Sequence, residues 1–207
     1  MARFVSTTFG KISGKHGNAV AAIRKDGTNI LKVLRVASNP NTPAQKNHRD
    51  KFAFTMRELN CMRSLYALTY RSQYGVNKAV GVAMKTALTG EFPNFRLDYS
   101  KLIISNGTLK DAAQVSFEQL KGTSIKVNWN ADIFLGGNPS DNVNLVFFNP
   151  TSKTIILNQN QAIRSKGNVE VELPAHWVGK DIHSWLYLTT TDDNHFSTSQ
   201  YICQFQL

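Results

Sequence analysis

The chain has 207 residues, 42% of them hydrophobic and 18% charged, which suffices for a packed core and excludes disorder along most of its length. It contains no run of eighteen apolar residues, so no helix is expected to insert into a membrane. The net charge of +10 is unevenly placed: residues 1–110 hold 18 basic and 5 acidic side chains, whereas residues 111–207 hold 6 and 9. The excess therefore belongs to the first half and points to one localised docking surface.

From Met1 to Thr8 there is no apolar stretch and no cleavage site of the secretory kind, so cytoplasmic synthesis without a signal peptide is expected. Gly10, Gly14 and Gly17 punctuate the next segment. A strand from Asn18 to Lys25 then runs into Lys25-Asp26-Gly27-Thr28, whose Asp-Gly pair favours a type I′ hairpin turn. On the return strand, Asn29 to Val36, one face carries Ile30, Leu34 and Val36 with Lys32. Leu31, Val33 and Arg35 fall on the other. Both faces mix apolar groups with cations, so a partly exposed ribbon is expected.

In Asn39-Pro40-Asn41-Thr42-Pro43-Ala44-Gln45, Thr42 can cap a helix, Pro43 suits its first position, and Gln45 completes a capping box. Phe52, Met56, Leu59, Met62, Tyr66 and Tyr70 recur at three- and four-residue steps, which predicts one helix from about Pro43 to Tyr70. A second helix is expected over residues 77–88, with Val80, Met84, Ala87 and Leu88 as its apolar positions. Gly90 and Pro93 end it.

Beyond Tyr99 the period changes to two. Lys101 to Ser105 reads as a short strand. Further strands are expected around residues 115–119, 125–129, 142–148, 154–157, 169–173, 184–189 and 199–205. Turn residues separate them, among them Gly136-Gly137-Asn138-Pro139, Asn149-Pro150 and Lys166-Gly167-Asn168. Seven short strands at this spacing predict an immunoglobulin/fibronectin-like β-sandwich, with Trp129 as an inward anchor. The expected fold is α+β, in two parts. An N-terminal β-ribbon with a long and a short helix fills residues 1–110, and the sandwich fills residues 111–207.

Signals of catalysis are weak. Cys61 and Cys203 lie far apart and read as two buried thiols. His16, His48, His176, His183 and His195 show neither the one-turn spacing of a helical zinc pair nor a Cys-x-x-Cys companion. His176, His183 and His195 could meet at one end of the sandwich near Asp192 and Asp193, but turn chemistry accounts for the same residues. The loop Gly10-Lys11-Ile12-Ser13-Gly14-Lys15-His16-Gly17 departs from a phosphate-binding loop: three residues precede the Gly-Lys pair, and His16 replaces the magnesium-binding hydroxyl. A non-catalytic protein with no cofactor and no metal is expected.

The candidate partner-binding residues are the clustered cations and the glycines between them: Lys11, Gly14, Lys15, Gly17, Arg24, Lys25, Lys32 and Arg35, joined by Lys46 and Arg49 at the helix start. Such a surface suits an acidic protein partner or copies of the chain in a larger assembly. The alternative is nucleic acid, whose phosphates would make binding strongly salt-dependent. Cations near the N-terminus of the long helix oppose its dipole, and no aromatic interleaving for stacking bases occurs in the basic region.

The string Gly14-Lys15-His16-Gly17-Asn18, then Arg24, Arg35, Asn39-Pro40-Asn41-Thr42-Pro43-Ala44-Gln45, Arg49 and Phe52, resembles an uncharacterised family of about two hundred residues from bacteria and phage-related elements. Leu173-Pro174, Trp177-Val178-Gly179 and Ser197-Thr198-Ser199-Gln200-Tyr201 extend the resemblance almost to the end. His16 departs from it, standing where a small apolar residue is common. The resemblance implies a structural or assembly protein of virion or mobile-element type, made in the cytoplasm and incorporated into a larger particle.

Overall fold

In the computed structural model the described residues are 2–5, 10–35, 41–71, 74–131 and 137–207. Val36, Asn39, Pro40 and Gly136, which carry parts of the expected ribbon, helix cap and turn, lie outside them. Two compact units are present, Met1–Thr42 and Pro43–Leu207.

The first unit is a four-stranded antiparallel sheet. Strands β1 (Ala2–Phe4), β2 (Gly14–His16), β3 (Ala19–Ile23) and β4 (Asn29–Val33) lie in the order β1-β4-β3-β2. The expected ribbon, β3 and β4, is its centre. Gly17-Asn18 joins β2 to β3 with positive φ at Gly17 alone, the type II′ pattern that follows strand twist. The β3–β4 turn differs from expectation. Only Gly27 has positive φ (+81°), while its N–H donates to Arg24 O and Arg24 N–H donates to Thr28 O, both at 3.0 Å. That is a type I turn closed by a left-handed glycine. Asp26 keeps negative φ, and its carboxylate accepts from Thr28 N–H at 3.0 Å.

The second unit opens with α1 (Pro43–Leu59), which begins with proline at its first position as expected. The single helix expected to Tyr70 is interrupted. A tight 3-10 turn over Asn60–Met62 separates α1 from α2 (Arg63–Thr69). Asn60 is a poor helix former, and the Cys61 thiol donates to Glu58 O at 3.2 Å across the turn. Leu59, Met62, Leu65 and Tyr66 are buried, whereas Phe52 of the expected stripe is exposed. Helix α3 (Gly75–Thr86) buries Val76, Ala79, Val80 and Ala83. Gly75 is needed where it sits, since a Cβ there would lie 2.0 Å from Tyr66 O. No helix among the described residues is long and apolar enough to cross a membrane.

A short hairpin, β5 (Leu88–Thr89) and β6 (Arg96–Leu97), leads to the sandwich. The strand expected over Lys101–Ser105 is absent from that segment. Its main chain is held instead by Ser199, whose hydroxyl accepts from Ile104 N–H at 2.9 Å and whose N–H donates to Ser105 O at 2.9 Å. The seven later strands form as expected: β7 (Ala113–Gln119), β8 (Ser124–Asn130), β9 (Asn142–Asn149), β10 (Thr154–Ile163), β11 (Asn168–Glu172), β12 (Asp181–Thr189) and β13 (Gln200–Gln206). They make two sheets, β10-β9-β12-β13 and β11-β8-β7. This four-plus-three sandwich is the expected immunoglobulin/fibronectin-like architecture.

Between the sheets lie Ile125, Val127 and Trp129 of β8, facing Val143, Leu145 and Phe147 of β9. The alternate residues of the same large sheet, Val146, Phe148, Trp185 and Tyr187, pack with Leu59, Tyr66, Val80 and Ile104. Sheet β10-β9-β12-β13 is thus the middle of three layers, helices on one side and the small sheet on the other. This corrects the boundary expected at residue 110. That position lies inside the second unit, because α1, α2 and α3 share a core with the sandwich and belong to it rather than to the ribbon.

Candidate functional site

The candidate cations of the first unit fall on a sheet only one layer thick. Its register brings Lys15, Val20 and Lys32 side by side across β2, β3 and β4, and Arg3, Ile30 and Ala22 side by side across β1, β4 and β3. Because paired residues share a face, Arg3, Lys15 and Lys32 project together around Val20, Ile30 and Ala22. All three cations are exposed. Arg24 and Lys25 are exposed at the β3–β4 hairpin tip, and Arg35 is exposed just beyond β4.

The opposite face is apolar. It presents Phe4, Leu31, Val33, Ile23, Ala19 and Ala21 with Asn29, and Val33 is 75% exposed. Asn29 is buried and acts as a clasp. Its side-chain oxygen accepts from Ile12 N–H at 3.1 Å and its amide donates to Gly10 O at 2.9 Å. The glycine loop is thereby folded onto this face. An open hollow of about 710 Å³ results, lined by Phe4, Leu31, Lys11, Ile12, Ser13 and His16. Lys11 is therefore a wall of the apolar face, not a member of the basic one. Asp26 is the sole carboxylate of the first unit's described residues; hydrogen bonds from the Thr28 backbone and side chain hold it below its usual range.

The glycines act through backbone conformation. Gly14 (φ +109°) and Gly17 (φ +56°) have open space where a Cβ would stand, so positive φ rather than crowding demands glycine. Lys46 and Arg49 lie in the first turns of α1, in the second unit. The candidate residues accordingly fall into four sets: Lys15 and Lys32 on the basic sheet face, Arg24, Lys25 and Arg35 at the hairpin tip and beyond β4, Lys11, Gly14 and Gly17 in the loop and its turn, and Lys46 and Arg49 at a helix start. Sequence reasoning missed Arg3, which completes the basic face, and Asn29, which holds the loop. The alternation of Arg3 with Phe4 was the available signal for the first. A lone asparagine after Asp-Gly-Thr reads as a turn residue and offered none for the second.

The histidines of the second unit go separate ways. His183 is buried on β12, with Nδ1 3.0 Å from Tyr201 Oη and its ring 4.6 Å from Tyr99. His176 is exposed on a 3-10 turn, and His195 stands in the loop before β13. Among the described residues no group of three or more His, Cys, Asp or Glu is placed to hold a metal. Cys61 and Cys203 are half-buried free thiols, both pushed up in pKa chiefly by burial.

The fibronectin type III domain of human collagen alpha-1(XX) is similar to this chain at 11% identity and a TM-score of 0.33, covering 49% of this chain and 83% of that one. The FN1-FN3 domains of chicken CNTN1 are similar at 12% identity and a TM-score of 0.31, covering 55% of this chain and 37% of that one. No curated protein matches the sequence. The family comparison reaches further: it spans residues 11–203, from the clasped loop through the helices to the last strand of the sandwich. On that extent the chain belongs to DUF6266, a family of unknown function.

Proposed function

We propose that this chain is a non-catalytic assembly or adaptor protein that docks onto an acidic protein partner through its N-terminal sheet. The observation that carries this reading is the sorting of side chains across a one-layer sheet. Arg3, Lys15 and Lys32 share one face, with Val20 and Ile30 between them. Cations around a small apolar centre suit a protein surface, where apolar contact supplies affinity and charge supplies register. A polyphosphate backbone would be served by the charge alone, so the apolar centre favours protein over nucleic acid. Resemblance to phage-related proteins extends the proposal to a virion or mobile-element assembly, with copies of the chain among the partners.

The test uses full-length chain isolated from its native cells with its assembly. Size-exclusion chromatography with light scattering should show a discrete complex that survives nuclease and shrinks as salt rises. Changing Arg3, Lys15, Lys32 and the neighbouring Arg24 together to Ser should abolish it. A complex that the quadruple variant still joins overturns the docking reading. One that nuclease dissolves replaces it with nucleic-acid binding, for which duplex affinity should fall steeply with salt.

A further inference from the structure

A second concave site lies in the other unit, and neither the sequence motifs nor the docking surface account for it. The hollow, about 320 Å³, is walled by the end of α2, by α3, by residues 106–108 and by the loop before β13. Its charged lining residues are Arg71 and Lys78, accompanied by His195; among the described residues no Asp or Glu lines it. These groups come from three separated segments, so their convergence is a product of the tertiary fold.

Part of this lining is rigidly set. Arg71 has a left-handed backbone (φ +46°) and donates to Asn194 O at 2.6 Å and Asn194 Oδ1 at 3.0 Å, fixing its guanidinium against the loop. Gly107 is pressed so closely on residue 196 that a Cβ would lie 1.9 Å from Phe196 O, and Thr198 Oγ1 donates to Gly107 O at 3.2 Å. Other groups remain available. Among the described residues no side-chain hydrogen bond or ion pair occupies Lys78 Nζ, the His195 ring, the Asn106 amide or the Thr108 hydroxyl. Lysine, amide, hydroxyl and one imidazole N–H are all donors. Tyr70 and Phe196 also line the hollow.

We propose that this hollow binds a small phosphomonoester. Its phosphate accepts hydrogen bonds from Lys78 and His195 with the fixed Arg71 charge behind them, and its organic part lies against Tyr70 and Phe196. Several donors, with no Asp or Glu among the described lining residues, match an oxyanion with three free oxygens. The size of the hollow admits one small ring in addition to the phosphate.

Isothermal titration of the full chain with ribose 5-phosphate, inorganic phosphate and neutral ribose at constant ionic strength tests this. Saturable binding of ribose 5-phosphate is expected, with weaker binding of inorganic phosphate and none of ribose. Lys78→Met and, independently, His195→Leu should each weaken it by at least about tenfold, the loss of one hydrogen bond to a charged group. Lys180→Met, an exposed cation elsewhere in the unit, should change nothing. Thermal midpoints of the ligand-free variants, equal to that of the parent chain, establish that folding is intact. Absence of saturable binding at millimolar ribose 5-phosphate, equal binding of ribose, or binding that neither Lys78→Met nor His195→Leu weakens overturns the proposal.

Discussion

The two units treat apolar surface in opposite ways. In Pro43–Leu207 a central sheet is covered on both sides, and Trp177, Trp185, Tyr66 and Phe147 are fully buried. In Met1–Thr42 the buried side chains among the described residues are Ala21 and Asn29, while Val5, Ile23, Val33 and Leu34 stand exposed. A sheet with an apolar face normally acquires a second layer. The second unit carries its layers within itself. The first unit has one sheet, with Arg3, Lys15 and Lys32 sorted to the other face. Buried apolar surface is thus concentrated in one unit, and exposed apolar and cationic surface marks the other.

The most severe way to break this contrast is to cut the chain. A fragment of residues 111–207 would expose Val146, Phe148, Trp185 and Tyr187, which the helices cover in the full chain. It should show no cooperative calorimetric transition, whereas a fragment of residues 43–207 should unfold cooperatively like the parent. A folded 111–207 fragment would mean that the helices are dispensable and that the second unit is two domains.

Within the second unit the sharpest single lesion is the buried ion pair. Arg164 and Asp141 have side chains 5% and 1% exposed, and Arg164 Nη2 donates to Asp141 Oδ2 at 3.2 Å. Further donors of Arg164 reach Asp111 O at 3.1 Å and Lys110 O. Arg164→Met leaves a buried carboxylate without its cation and should cost about 3–5 kcal/mol in urea unfolding. A cost near zero would show that water reaches Asp141 once the guanidinium is gone.

The corresponding lesion in the first unit is Asn29→Ala, which removes both bonds to the glycine loop. Two partly buried hydrogen bonds suggest a local cost of about 1–3 kcal/mol. It should appear as faster amide exchange at Ile12 with no change in the urea midpoint of the second unit. A shifted midpoint would show that the two units unfold together.

Legibility in the sequence followed the same division. β8 could be read directly, because Ile125, Val127 and Trp129 alternate with polar residues and one face of the strand is buried. β9 and β12 carried a second message in Val-Asn-Leu-Val-Phe-Phe and Ile-His-Ser-Trp-Leu-Tyr-Leu. Nearly unbroken apolar runs indicate strands covered on both faces. Periodicity alone passed over this, and so placed a boundary at residue 110 between helices and sheet that share one core. Lys101–Ser105 misled for the converse reason: Leu102 and Ile104 are buried alternately, but Ser199 takes the main-chain bonds a partner strand would have taken. The cations of the basic face were legible one by one. Their common face followed only from register. The Arg71, Lys78 and His195 cluster was out of reach, since no local pattern links an α2 end, an α3 surface and a distant loop.

The smallest expected effect concerns His183, on the middle layer. Burial lowers its pKa from the usual histidine value, against weaker opposing effects of Asp181 and Asp98. The fold therefore holds the ring neutral, packed on Tyr99 and hydrogen-bonded to Tyr201. As pH falls through the ordinary histidine pKa of about 6.5, the unfolded chain takes up a proton before the folded chain does. Stability is then lost between that value and the lower folded one, and no contribution to the slope arises above it. Urea midpoints of the parent should decline over this window more than those of His183→Gln, with the two curves parallel above about pH 7.5. Parallel curves throughout would mean that solvent enters around His183 and that the middle layer is less closed on this side than its buried neighbours Phe148 and Trp185 indicate.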